Sequence, residues 1–325
     1  MSEHNISGVR GNHDQTVIEW RAWLDWIHGL EDRAGSRWLS ELEEKWEEAD
    51  LGGESENDSD TETWVKAQKR RAGKDHKWWS RIPKGWKLFS DHYRIARFVP
   101  SLGLTVDNSN GRSRAMSKSD YEYLLSLPLV LHLPSEHTFL VHAGILPYDP
   151  TLSITSKRQP LAHPPKIPSR VIGGSISALR NAQELAILED IKQNTNPWVL
   201  LNMRNLRKDN TVSRSVADLL ILDAAADPEV GPNRKTNKGK AWTEVWNEII
   251  PQCVGFEAAA LGAKHTLPCH PSMVVYGHTA SRGLDIHRWT VGLDTGCVRC
   301  TLSPSLASYD SRPGLRSEAY GTHFG

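Results

Sequence analysis

The sequence predicts an α/β (α+β) protein, with a β-sheet core flanked by helices. Three observations predict it. Helical stretches with apolar residues at three- and four-residue spacing alternate with apolar runs of strand length. Three clusters run from apolar chain into a small residue and a histidine, as turns at the rim of a sheet do. Hydrophobic residues make up 38% of the 325 residues, enough for a sizeable core.

Each element has its own signal. From Gln15 to Leu30, the residues Val17, Trp20, Trp23, Leu24, Ile27 and Leu30 repeat with helical period. Trp20, Trp23 and Trp26 could form a stacking surface, but their place beside other apolar residues favours packing. A second helix spans Arg37 to Glu48 with Trp38, Leu39, Leu42 and Trp46. Gly52 to Thr61 is acidic and rich in Gly, Ser, Asn and Asp, which predicts a disordered loop. Ser119-x-x-Glu122 has capping-box form and opens a short helix to Leu125. Leu129 to Leu133 and Thr138 to Val141 read as buried strands joined by a turn at Pro134-Ser135-Glu136. Gln159 to Pro168 is proline-rich and reads as an exposed crossing loop. Ser175 to Ile191 reads as a helix burying Leu179, Ala182, Leu185, Ala186, Leu188 and Ile191, and Trp242 to Ile250 as another. Met273 to Tyr276 and Val291 to Leu293 are short apolar runs, each ending at a polar cluster.

Charge is balanced, with 39 Lys+Arg against 39 Asp+Glu, so net charge points to no partner. Its distribution is uneven. Residues 41 to 60 hold ten acids against Lys45, and residues 66 to 87 hold nine Lys/Arg against Asp75. Such blocks read as solvated or disordered chain, although the basic one could attract a polyanion. No apolar stretch reaches the ~20 residues of a membrane span, and the N-terminus lacks a signal-peptide layout. The composition is that of a soluble protein. Four cysteines in a chain this long suggest no disulfide framework. Cys297-x-x-Cys300 with Cys253 or Cys269 lacks the second close-spaced pair of a structural zinc site. There is no glycine-rich phosphate loop, helix-turn-helix signature or nucleophile elbow.

The chemistry-bearing residues sit in Gly11-Asn12-His13-Asp14, Val141-His142-Ala143-Gly144 and Tyr276-Gly277-His278-Thr279. Imidazole nitrogens and an amide oxygen suit a borderline divalent ion such as zinc or manganese. A single histidine at a strand end has an ordinary structural reading too. In this order, however, the three clusters resemble the calcineurin-like metallophosphoesterase superfamily. Pro197 to Leu206 (with Asn-Met-Arg), Gly239 to Glu248, Val275 to Asp285 and Gly292 to Val298 look like its fungal endopolyphosphatase branch, close to the bacterial diadenosine tetraphosphatases.

The resemblance implies a central β-sandwich flanked by helices, spanning residues 1–298 with a charged, partly disordered insert at about 31–90. An irregular tail follows at 299–325. It implies a hydrolase with two divalent ions (Zn, Mn, Mg or Co) about 3.5–4 Å apart, activating water for in-line attack on a phosphate. By that resemblance Asn12, His142 and His278 are metal ligands. His13 is the general acid and Asp14 orients its neighbours within the same catalytic motif. Arg204 grips phosphate, unless it is a surface arginine at a helix end.

The chain departs from the pattern at both ends. The superfamily's Asp-x-His and Gly-Asp motifs precede Gly-Asn-His-Asp. Here ten residues precede Gly11, none of them aspartate, and Gly-Asp occurs nowhere. Asp285-Ile-His287 reads as a strand or turn, not a displaced ligand pair. The missing aspartate is the carboxylate that bridges the two metals, so a tight binuclear centre is not expected, although one weakly held ion is possible. The first strands would be missing as well, leaving an unpaired edge. After Val298, Arg299-Cys-Thr-Leu-Ser-Pro replaces the branch's Tyr-Gly turn and apolar strand. Both ends fit an incomplete gene description or a degenerate copy.

The leading expectation is metal-dependent hydrolysis of phosphoanhydrides, with inorganic polyphosphate as the polyanionic substrate. A serine/threonine-type protein phosphatase is the enzymatic alternative. A catalytically inactive remnant that binds phosphate or a protein partner is the other. Neither nucleic acid nor membrane is expected as a partner. The default compartment is the cytoplasm, or the vacuole if a targeting segment precedes the chain.

Overall fold

The structure is a computed structural model describing residues 7–31, 33–49, 58–83, 88–97, 116–166, 175–214, 239–257 and 266–295. It is mixed α/β, with two hydrophobic clusters.

The N-terminal cluster is helical. Helix α1 (Asn12–His28) buries Val17, Trp20, Trp23, Leu24 and Ile27, the periodic set of the sequence. Trp20 and Trp23 are packed and Trp26 is 36% exposed, so packing prevails over a stacking surface. Helix α2 (Ala34–Glu48) lays Trp38, Leu39, Leu42 and Trp46 onto the same cluster. Helices α3 (Asp58–Arg70), α4 (His76–Trp79) and α5 (Asp91–Ala96) follow. Edge-to-face contacts tie them together: Trp20 with Tyr93 at 5.1 Å, Trp38 with Trp79 at 5.5 Å, and Phe89 with Tyr93 at 5.4 Å.

The charge blocks therefore behave differently from a solvated chain. Residues 51–57 and 84–87 lie outside the described residues, but Asp58–Thr61, expected as loop, open α3. Burying one indole removes roughly 200 Å² from water, about 5 kcal/mol before entropy is counted. Trp38, Trp46, Trp78 and Trp79 together outweigh the mild cost of like charges on the outer faces. Cations lie over the rings, Lys77 at 4.2 Å from Trp78 and Arg94 at 5.2 Å from Trp46.

Helix α6 (Lys118–Ser126) is capped two residues earlier than expected: Ser117 Oγ accepts from the Asp120 N–H at 3.1 Å. Strands β1 (Val130–Leu133) and β2 (Thr138–Val141) form the expected antiparallel hairpin. Helices α7 (Ile176–Glu189) and α8 (Pro197–Asn202) follow. Strands β3 (Asn205–Leu206), β4 (Val212–Ser213) and β5 (Lys240–Ala241) form a small sheet of order β4-β3-β5. After α9 (Trp242–Ile249) come β6 (Met273–Tyr276), β7 (Asp285–Ile286) and β8 (Thr290–Gly292). The main sheet has the order β1-β2-β6-β8-β7, with β2, β6 and β8 parallel. Asp285-Ile-His287 is thus strand and turn, as its sequence position suggested.

Three expectations are corrected. Helix α7 buries Gln183, Glu184 and Ile187, and leaves Leu185 39% exposed. The physical reason is the Glu184 carboxylate, which is fully buried and held by His132 Nε2 at 2.7 Å, His137 Nδ1 at 3.0 Å and Ser272 Oγ at 3.1 Å. That anchor sets the helix rotation against its apolar stripe. In the proline-rich segment, Gln159 and Leu161 are buried, because the Gln159 amide exchanges hydrogen bonds with the Asp149 backbone at 2.8 and 2.9 Å. Cys253 and Cys269 form a disulfide, brought together where Leu267 N–H donates to the Gln252 carbonyl at 2.7 Å. Cys297 and Cys300 lie outside the described residues. Among the described residues no helix is long and apolar enough to cross a membrane.

Candidate metal and phosphate site

Parallel pairing aligns three strand ends. Val141, Tyr276 and Gly292 stand in register across β2, β6 and β8. The residues that follow them, His142, Gly277-His278 and Leu293-Asp294, therefore leave the sheet at one carboxyl edge, where open α/β sheets place ligands. Gly277 N–H donates to the His142 carbonyl at 2.9 Å and Leu293 N–H to the Tyr276 carbonyl at 2.8 Å, locking the ends together.

Two glycines make the corner possible. A Cβ at Gly144 would stand 2.4 Å from the Trp242 ring, so only glycine lets the chain after His142 turn beneath that buried indole. A Cβ at Gly11 would stand 3.1 Å from His142 Cε1. Gly11 also starts α1, and its N–H donates to Asp14 Oδ2 at 2.8 Å. That contact fixes the first helical turn and with it Asn12.

The corner itself is short of protons. His142 Nε2 lies 2.7 Å from Asn12 Oδ1 and 3.1 Å from His278 Nδ1. One ring nitrogen carries at most one hydrogen and cannot serve both neighbours well. Two atoms each bound to one ion at about 2.1 Å stand about 3.0–3.4 Å apart. The 3.1 Å pair matches that spacing and the 2.7 Å pair falls a few tenths short of it. His278 Nε2, on the far side of its ring, is buried without a hydrogen-bond partner among the described residues. His278 also has φ +64°, a left-handed backbone that costs about 1 kcal/mol or more in a non-glycine residue.

Both imidazoles are held neutral. Burial pushes His142 down to about 4, with His13 and Arg204 adding to it, and Asp14 and Asp294 opposing. Burial also pushes His278 down to about 3, helped by His142, Arg204 and His13 and opposed by the Asn202 carbonyl. Neutral imidazole is the metal-binding form.

No family model matches the chain, and no curated protein matches it. A solved structure described as "a putative diadenosine tetraphosphatase" aligns with a TM-score of 0.27 and 19% identity. The alignment covers 56% of this chain and 47% of that one, so the chain spans about half its length. So slight a likeness carries no inference, and the case rests on this chain's own residues.

Asn12, His142 and His278 are brought together, across 130 and 136 residues of sequence. Two imidazoles and one amide oxygen are the donors they would offer a divalent ion. Among the described residues no group of three or more His, Cys, Asp or Glu could hold a metal ion. Two dications 4 Å apart repel by on the order of 16 kcal/mol even at an effective dielectric of 20, and the three atoms brought together here include no carboxylate oxygen to offset it.

Arg204 reaches the site from behind. Its Nη2 donates to the His278 carbonyl at 3.0 Å and its Nη1 to the Arg214 carbonyl at 2.7 Å. It steadies the left-handed turn and is no free surface side chain. Arg214 and Arg282 lie near enough to lower its pKa further, after burial. His13 is exposed beside the corner, with Nδ1 2.7 Å from His92 Nε2. Sequence reading missed three neighbours. His92 lay just beyond the segment read as a charged insert and was given no role. Asp294 lay within the quoted Gly292–Val298 segment but was given no role. Arg282, which donates to Thr243 Oγ1 at 3.2 Å, lay within the quoted Val275–Asp285 segment and was also given no role.

Proposed function

We propose that the chain is a metal-dependent hydrolase of phosphoanhydrides, with inorganic polyphosphate as its substrate and a single divalent ion at Asn12, His142 and His278. One observation carries the reading: three short clusters, scattered over most of the sequence, meet at one carboxyl edge with their donor atoms 2.7 and 3.1 Å apart. A bound ion would supply Lewis-acid polarisation of a phosphoryl oxygen. His13, next to Asn12 on the first turn of α1, would give the leaving oxygen its proton. Asp14 holds the turn that orients Asn12, through its bond from Gly11 N–H at 2.8 Å. Arg204, Arg214 and Arg282 place three guanidinium groups around the His278 turn, a field suited to a substrate with several phosphates.

The inactive-remnant reading keeps one specific support, the lack of a carboxylate ligand set among the described residues. Phosphate release from tripolyphosphate and a phosphoserine peptide, and nucleotide release from diadenosine tetraphosphate, with manganese added, separate the possibilities. Release from tripolyphosphate that vanishes in both Asn12→Ala and His142→Ala supports the proposal. Release from the peptide alone favours the protein phosphatase, and release that survives both substitutions does not come from this corner. No release from any substrate leaves the remnant.

A further inference from the structure

We propose that His92 is a positioning residue for His13, fixing its ring so that Nε2 is the nitrogen presented to substrate. The inference rests on the hydrolase reading above for its kinetic consequence, but not for its geometry.

The contact is unusual for two surface histidines 79 residues apart. The rings lie 15° from parallel with centroids 4.9 Å apart, while His13 Nδ1 and His92 Nε2 are 2.7 Å apart. The centroid separation roughly equals that nitrogen–nitrogen distance plus the two ring radii. The rings therefore meet head-on in nearly one plane and do not stack. Lone pairs aimed along one line do not converge on a cation; they share a proton in an N–H···N bond. With Nδ1 so occupied, Nε2 is left as the working nitrogen of His13.

His92 is able to impose this because its helix is anchored. The neighbouring Tyr93 is 1% exposed and Ala96 is fully buried. Tyr93 sets its ring edge on Trp20 at 5.1 Å and donates its hydroxyl to Glu43 Oε1 at 2.5 Å. Ser90 caps the helix by accepting from Tyr93 N–H. His13, by contrast, is exposed on the first turn of α1, and its hydrogen bond among the described residues is the one to His92. Without that bond, the exposed ring of His13 would sample other rotamers and both tautomers.

The test uses the full chain. Long-range ¹H–¹⁵N spectra of the histidine rings, with His13 assigned by loss of its signals in His13→Gln, read the tautomer directly. A single His13 tautomer is expected in the wild type and in His92→Gln, which keeps a polar partner. A mixture is expected in His92→Ala and in His92→Phe, which keeps the ring shape only. An unchanged His13 tautomer in both of the last two variants overturns the proposal.

The kinetic arm compares tripolyphosphate with p-nitrophenyl phosphate, whose leaving group needs little protonation. His92→Ala should lower kcat on tripolyphosphate by roughly 10- to 100-fold, with little change in KM, no comparable loss on the aryl ester, and rescue by His92→Gln. Equal losses on both substrates overturn the role. If the wild type releases no phosphate at all, the hydrolase reading fails, and the spectra decide the positioning claim by themselves.

Discussion

His142 Nε2 stands 2.7 Å from Asn12 Oδ1, joining the carboxyl end of β2 to the first turn of α1 across 130 residues. The Arg10 N–H, which donates to the Pro128 carbonyl at 2.8 Å, ties the same helix start to the chain leading into β1. Gly11 and Gly144 leave out the side chains that would hold the strand end and the helix start apart.

The buried imidazoles set a pH dependence. In the metal-free chain, His142 titrates near 4 and His278 near 3, against 6.5 for the unfolded group. Between those values the unfolded state binds more protons, so stability rises with pH through that window and is lost on acidification. Urea midpoints measured at about pH 7.5 and about pH 5 should fall further for the wild type than for His142→Gln. Equal falls would mean that His142 is not held neutral by the fold.

Gly144→Ala should destabilise the chain by about 1–3 kcal/mol, since its methyl group meets the Trp242 ring. Trp242→Phe in the same chain should recover part of that loss, a coupling that thermal unfolding of the four variants measures. Additive effects would contradict the contact.

Glu184 is a buried carboxylate with three donors around it. Glu184→Ala strands His132, His137 and Ser272 and should cost about 3–5 kcal/mol. Glu184→Gln keeps an acceptor and should cost clearly less. Denaturant unfolding distinguishes the two.

Reducing the Cys253–Cys269 disulfide frees a loop with a sequence separation of 16 residues. The paired Cys253→Ser and Cys269→Ser chain should lose about 3 kcal/mol of stability and become insensitive to reductant.

The sequence made most of the fold legible where periodicity and packing agree. The apolar stripe of α1, the β1–β2 hairpin and α9 fall where their patterns put them. It misled where one polar group outranked a stripe, as Glu184 does in α7, and where aromatic density outranked charge, as in α3 and α4. The disulfide was hidden because both cysteines are brought together by a loop whose path no local pattern encodes. At the site, Asn12, His142 and His278 stood in motifs expected at strand ends; His142 and His278 do follow strands, whereas Asn12 opens α1. His92 was not legible, because its contact with His13 depends on how α5 packs against α1, anchored by Tyr93 on Trp20.

The most direct test is manganese binding to the full chain, followed by electron paramagnetic resonance with zinc as competitor. The account predicts one ion per chain, displaced by zinc, with affinity falling by about tenfold or more in Asn12→Ala and in His142→Ala. Two ions per chain, or binding unchanged by both substitutions, would contradict it.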